Sequence, residues 1–129
     1  MASVVEGEWT NQHGSRLLLK QDHDGRLAGS FMPGVGFGRN EAFEVGGFAR
    51  EDLVAFTVDF KGHRCVTAWC GHVLDDAGGP AIDALWQMAV HVPGPGTEAW
   101  KGLWSGADLF TRGRPSTRRP HGRPSHPVR

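Results

Sequence analysis

The sequence predicts an all-β fold, an eight-stranded antiparallel up-and-down β-barrel. Three observations predict it. Helical periodicity is not sustained anywhere, whereas apolar and polar residues alternate with period two in several stretches. Turn-forming clusters punctuate these stretches: Asp22-His23-Asp24-Gly25, Lys61-Gly62-His63, Asp75-Asp76-Ala77-Gly78-Gly79-Pro80 and Pro93-Gly94-Pro95-Gly96. The connections are short, so neighbours should pair as consecutive hairpins, and eight such strands close into a barrel that leaves no free edge. A two-sheet sandwich, the structural alternative, needs longer crossovers than these turns allow.

The elements follow in order. The first strand is expected near 7–13. The second (16–21) and third (26–32) flank the turn at Asp22-Gly25. The longest interior connection, Pro33-Gly34-Val35-Gly36-Phe37-Gly38-Arg39-Asn40, precedes a fourth strand near 42–48. Its glycines resemble a phosphate loop only superficially, since a third Gly at the right spacing, a Lys-Ser/Thr pair and a following helix are lacking. It reads better as a flap over the barrel mouth. The fifth strand (53–61) sets Val54, Phe56, Val58 and Phe60 on one parity and Ala55, Thr57 and Asp59 on the other. The sixth (64–74) carries Cys65, Thr67, Trp69, Gly71 and Val73 on one face, and the seventh (81–91) carries Ile82, Ala84, Trp86, Met88 and Val90. The eighth is expected over 97–111.

Composition bounds the possibilities. At 39% hydrophobic and 22% charged, the chain of 129 residues can build one core. No apolar run approaches a membrane-spanning helix. The opening Met1-Ala2-Ser3-Val4-Val5-Glu6 lacks a signal-peptide pattern, so an export signal is expected to have been removed or never present. The net charge of zero conceals two halves: +6 from the arginines between Arg112 and Arg129, and −6 over residues 1–111. The division expected is therefore a barrel at 1–111 and a flexible Arg/Pro-rich tail at 112–129, its prolines and its single large apolar residue, Val128, opposing burial. A basic arm can bind nucleic acid, but a solvated tail that neutralises its own acidic body is the simpler reading, and nucleic acid is not the expected partner.

Strand parity points Phe31, Phe60, Trp69, Trp86, Trp100 and Phe110 inward, together with the polar Asn11, Ser15, Thr67 and Asp108. An unpartnered polar group costs roughly 2–7 kcal/mol to bury. Four of them beside a tryptophan box describe a pocket for a compact, mostly apolar ligand with a polar head. Met88 is read both as core and as ligand wall. The two cysteines, Cys65 and Cys70, fall on opposite faces of one strand, so a disulfide between them is not expected. His63, His72 and His91 show no zinc-ligand spacing, and no metal is expected.

The segments Trp9-Thr10-Asn11-Gln12-His13-Gly14-Ser15, Phe56-Thr57-Val58-Asp59-Phe60-Lys61, Val66-Thr67-Ala68-Trp69-Cys70-Gly71 and Trp100-Lys101-Gly102-Leu103-Trp104-Ser105-Gly106-Ala107-Asp108-Leu109-Phe110-Thr111 occur in the order and spacing of the avidin/streptavidin family, which the sequence resembles over about residues 7–112. The resemblance implies an eight-stranded barrel that binds biotin without turnover, needs no cofactor, and assembles as a homotetramer of tight dimers. It implies a secreted or periplasmic protein that sequesters the vitamin, with no membrane partner. Asn11 and Ser15 match donors to the ureido oxygen, and Asp108 matches the acceptor from a ureido N–H, itself hydrogen-bonded to Asn11. Thr67 matches the hydroxyl facing the thiophane sulfur, Phe60, Trp69 and Trp86 match aromatic walls, and Val35 and Gly36 match the closing flap. Trp100 matches the tryptophan that one subunit inserts into its neighbour's site. Three positions depart from the usual pattern: Phe31 stands for a Tyr, Pro33 for a Ser, and Cys65 for a Ser that contacts the valerate carboxylate.

Two alternatives remain at this level: a barrel carrying another small cyclic ligand, and a hydrolase using Cys65 as nucleophile with His13 or His63 as base.

Overall fold

The computed structural model describes residues 4–76 and 78–113, so the Arg/Pro-rich tail from 114 onward lies outside the described residues. Eight strands are formed: β1 (Gly7–Thr10), β2 (Arg16–Gln21), β3 (Arg26–Met32), β4 (Phe43–Arg50), β5 (Leu53–Phe60), β6 (Cys65–Asp76), β7 (Gly79–Val90) and β8 (Leu103–Thr111). Each pairs antiparallel with the next, and β8 returns to β1, closing the barrel. The expected parity is realised: Val54, Phe56, Val58 and Phe60 are buried along β5, as are Cys65, Thr67 and Trp69 along β6.

Two boundaries move by three residues or more from expectation, and the others by at most two. β1 stops at Thr10 rather than 13, because the Asn11 side chain competes for the backbone. Its Oδ1 accepts from the His13 and Ser15 N–H groups at 3.0 and 2.9 Å, and the Gly14 N–H donates to the Asn11 carbonyl at 3.1 Å. The stretch 97–102 is not strand but the body of a 3-10 helix, Gly96–Gly102. Pro95 presets its entry, the Glu98 N–H donates to the Pro95 carbonyl at 2.9 Å, and Lys101 meets Glu98 at 3.1 Å. Residues three apart are neighbours only on a helical turn.

The lower barrel is a packed core. Trp9, Leu17, Leu19, Phe56, Ile82 and Phe110 are fully buried there, each contributing roughly 1.5–3 kcal/mol. Phe56 stacks on Trp69 at 5.0 Å and 14° and meets Phe110 edge-on at 6.0 Å. This aromatic column forms the platform on which the upper cavity rests.

The seam between β1 and β8 is short, with one backbone pair, Thr10 with Thr111. The Gln12 side chain extends it: its Nε2 donates to the Ala107 carbonyl and its Oε1 accepts from the Leu109 N–H, both at 2.9 Å. A primary amide carries the same donor and acceptor as a peptide group, so Gln12 continues the ladder after the backbone has turned away. Below it, the Arg112 guanidinium lies 3.7 Å over the Trp9 ring and donates to the Val4 carbonyl at 3.1 Å.

The long connection between β3 and β4 is held at three points. The Gly34 N–H donates to Ser15 Oγ at 2.9 Å, the Asn40 N–H donates to the Pro33 carbonyl at 3.0 Å, and Glu41 meets His63 at 2.8 Å. Gly34 is required by close approach, since a Cβ there would lie 2.6 Å from the His13 carbonyl oxygen and 2.7 Å from Gly14 C. Gly38 is required by its φ of +69°.

Candidate binding site

A cavity of about 480 Å³ opens at the upper end of the barrel, within the size range of small-molecule sites. Larger hollows lie on the outer wall, one of about 630 Å³ beside Phe48, Cys70 and Leu85. They lack the convergence of buried polar side chains found inside the barrel, where Asn11, Ser15, Thr67 and Asp108 all line the cavity and all are buried.

Local folding orients these groups. Because Asn11 Oδ1 is occupied by two backbone N–H donors, its amide NH₂ is left to donate elsewhere; the network fixes which way the amide faces. Ser15 Oγ accepts from the Gly34 N–H, which leaves the hydroxyl proton to donate. The β1–β2 turn therefore presents two donors. Asp108, on β8, presents the opposite polarity. Its Oδ2 accepts from Trp69 Nε1 at 2.8 Å and its Oδ1 from Gln12 Nε2 at 3.1 Å. Two fixed donors hold the carboxylate while lone pairs remain on each oxygen. The donors that hold Asp108 are thus Trp69 and Gln12, where the resemblance implied Asn11. Thr67 Oγ1, on β6, is buried with no hydrogen-bond partner among the described residues.

The walls are aromatic and aliphatic. Phe31 sits 5.0 Å from Trp69 and 6.1 Å from Phe60, ring centroid to centroid. Trp86 and Met88 line the cavity from β7, and Pro33, Val35 and Gly36 line it from the flap. Two expected site residues are outside this lining, Trp100 being one whose expected place is a neighbouring subunit's site. Cys65 pairs with Phe60 and Val90 and packs into the core cluster, outside the cavity lining. Burial, with the Asp59 carboxylate as a lesser cause, pushes its thiol pKa above the ordinary value; a nucleophilic cysteine requires the reverse. Trp100 is 44% exposed on the 3-10 helix and does not line its own chain's cavity. Strand parity does not apply there, because the segment is not a strand.

Sequence reasoning missed three residues, Gln12, Phe37 and Trp104, and weighed a fourth, His13, only as the base of a hydrolase. Gln12, within the Trp9–Ser15 segment, holds Asp108 and the seam together. His13, Phe37 and Trp104 line the cavity mouth. Trp104 shares the parity of Asp108 and Phe110, a signal hidden by attention to Trp100.

Comparison with known proteins agrees with the fold. Among solved structures, the fold is similar to that of xenavidin, with a TM-score of 0.76 and 24% identity over 84% of this chain and 96% of that one. It is similar to apo shwanavidin, with a TM-score of 0.70 and 24% identity over 82% and 97%. It is also similar to the protein of a rhizavidin–biotin complex, with a TM-score of 0.70 and 22% identity over 82% and 97%. The Avidin family profile matches residues 2–113, and with the whole barrel inside that match, the chain belongs to the Avidin family.

Proposed function

We propose that this chain binds biotin non-covalently in the barrel cavity, without turnover. The observation that carries the reading is the fixed polarity of the cavity: donors from Asn11 and Ser15, and a carboxylate acceptor from Asp108. A cyclic urea has the complementary pattern, an acceptor oxygen beside two N–H donors. Donors on its oxygen and a carboxylate on one N–H draw it toward a polarised form, and hydrogen bonds to charged groups are the stronger kind. Phe31, Phe60, Trp69 and Trp86 keep water from the ring and strengthen those bonds. Thr67, whose hydroxyl has no hydrogen-bond partner among the described residues, gains a partner in the thiophane sulfur. Rigid strands hold these groups in place before binding, so little ordering entropy is lost.

Phe31, Pro33 and Cys65 make this site poorer in hydrogen bonds than the family pattern. Each missing neutral bond is worth about 0.5–1.5 kcal/mol. The site is accordingly tight but weaker than the strongest family members. Assembly extends the reading: a dimer at least, and a tetramer in full, lets Trp100 reach the site of a neighbouring subunit. A secreted or periplasmic setting, with sequestration of the vitamin as its purpose, goes with that reading.

Titration calorimetry with biotin at known subunit concentration tests the proposal. One ligand per chain is expected. Absence of binding at millimolar biotin overturns it.

A further inference from the structure

We infer that Trp104 is a further ligand-contacting residue, and that with Phe37 it closes the cavity mouth from within a single chain. The inference rests on the biotin-binding reading of the same cavity. Trp104 lies on β8 opposite Met88 of β7, and both side chains line the cavity. Phe37 lines it from the flap. Their rings meet at 6.4 Å between centroids, with 33° between planes, within the range of favourable aromatic pairs. Each end of this clasp is anchored. Trp104 Nε1 donates to the Lys101 carbonyl at 3.0 Å, which fixes the indole against the 3-10 helix. Phe37 sits between the three ties of the flap: Gly34 to Ser15, Asn40 to Pro33 and Glu41 to His63.

The two rings remain open to solvent, Trp104 at 48% and Phe37 at 40%. Large aromatic surface left wet beside a cavity is surface that an occupant can cover. The groups that fix a ureido ring are already buried; the mouth holds the unspent apolar area. Its lining sets Pro33, Val35, Phe37, Met88 and Trp104 beside a single imidazole, His13, and holds no lysine or arginine. The outer part of the ligand it fits is therefore an aliphatic chain. Both halves of the clasp belong to one chain, so this closure does not depend on a neighbour, unlike the role assigned to Trp100.

Dissociation of labelled biotin, chased with excess unlabelled biotin, tests the inference on the full chain. Trp104→Ala is expected to release biotin about tenfold faster and Phe37→Ala a few-fold faster. Trp104→Phe, which keeps a ring at the mouth, retains most of the slow release and separates lost contact from misfolding. The factor produced by Trp104→Ala is expected to be the same in a Trp100→Ala background. A Trp104→Ala rate within about twofold of wild type overturns this inference and leaves the biotin reading standing. Disappearance of its effect in the Trp100→Ala background also overturns it, since closure is then made between chains. Failure of the unmodified chain to bind biotin overturns both.

Discussion

Replacing Thr67 by Val separates a binding role from a structural one by the sign of two effects. Valine keeps the β-branched shape between Val58 on β5 and Met88 on β7, and removes only a buried hydroxyl that has no hydrogen-bond partner among the described residues. An unsatisfied buried polar group costs about 1–3 kcal/mol. The empty Thr67→Val protein should gain about that much stability. At about 4 °C per kcal/mol for a domain of this size, the thermal midpoint should rise by roughly 4–12 °C. Biotin affinity should move the other way, by the roughly 0.5–1.5 kcal/mol of one neutral hydrogen bond, or about 2- to 13-fold in Kd. Differential scanning calorimetry of the ligand-free protein and a competition titration with biotin give the two numbers. A lower midpoint with unchanged Kd refutes the reasoning, because the hydroxyl would then have a structural partner and no ligand.

Three further outcomes are expected. Asp108→Asn leaves either Trp69 Nε1 or Gln12 Nε2 facing an amide NH₂ and weakens the acceptor for the ligand N–H; calorimetry should show biotin binding weakened by about 1.5–3 kcal/mol, roughly 10- to 150-fold. Gly34→Ala drives a Cβ into the backbone of His13 and Gly14 and strips the Gly34 tie from Ser15, so stopped-flow release of biotin should accelerate, with about 1–3 kcal/mol lost in urea denaturation. Iodoacetamide at pH 8 should label exposed Cys70 and spare buried Cys65. Because burial raises the Cys65 pKa in the folded protein alone, the unfolded chain ionises first; stability is constant below the ordinary thiol value of 9.0 and falls as pH rises through it. Urea midpoints measured from pH 8 to pH 10.5 should therefore fall more for wild type than for Cys65→Ala.

Much of the fold was legible because one face of each strand is buried. The bounds of β2 and β3 match the expected 16–21 and 26–32, and the inward set of β5 and β6 follows from simple alternation. Legibility failed where a side chain competes with the backbone or where no alternation exists. Asn11 ends β1 early through its own turn, and Thr97-Glu98-Ala99-Trp100-Lys101 forms a 3-10 helix whose local signals, Pro95 before it and an acid–base pair three residues apart, were subordinate to the expectation of a long last strand. Within the site, Asn11, Ser15, Thr67, Trp69 and Asp108 were legible as polar or aromatic residues on inward faces. The contribution of Gln12 was not, since a glutamine in a turn has no pattern that announces two backbone bonds to a strand nearly a hundred residues later. Cys65 faces inward as parity gives, but parity does not give the height along the barrel axis, and Cys65 is outside the cavity lining.

The Gln12 amide does two jobs with one planar group: it zips the first strand to the last, and it steadies the carboxylate of Asp108. The weld that makes the sheet a ring is therefore also a wall of the chamber. Spreading the ring along that line loosens the chamber, and an occupant gripping Asp108 clamps the ring shut. Heat tolerance and residence time should consequently rise and fall together in this protein, because both are settled at the same joint.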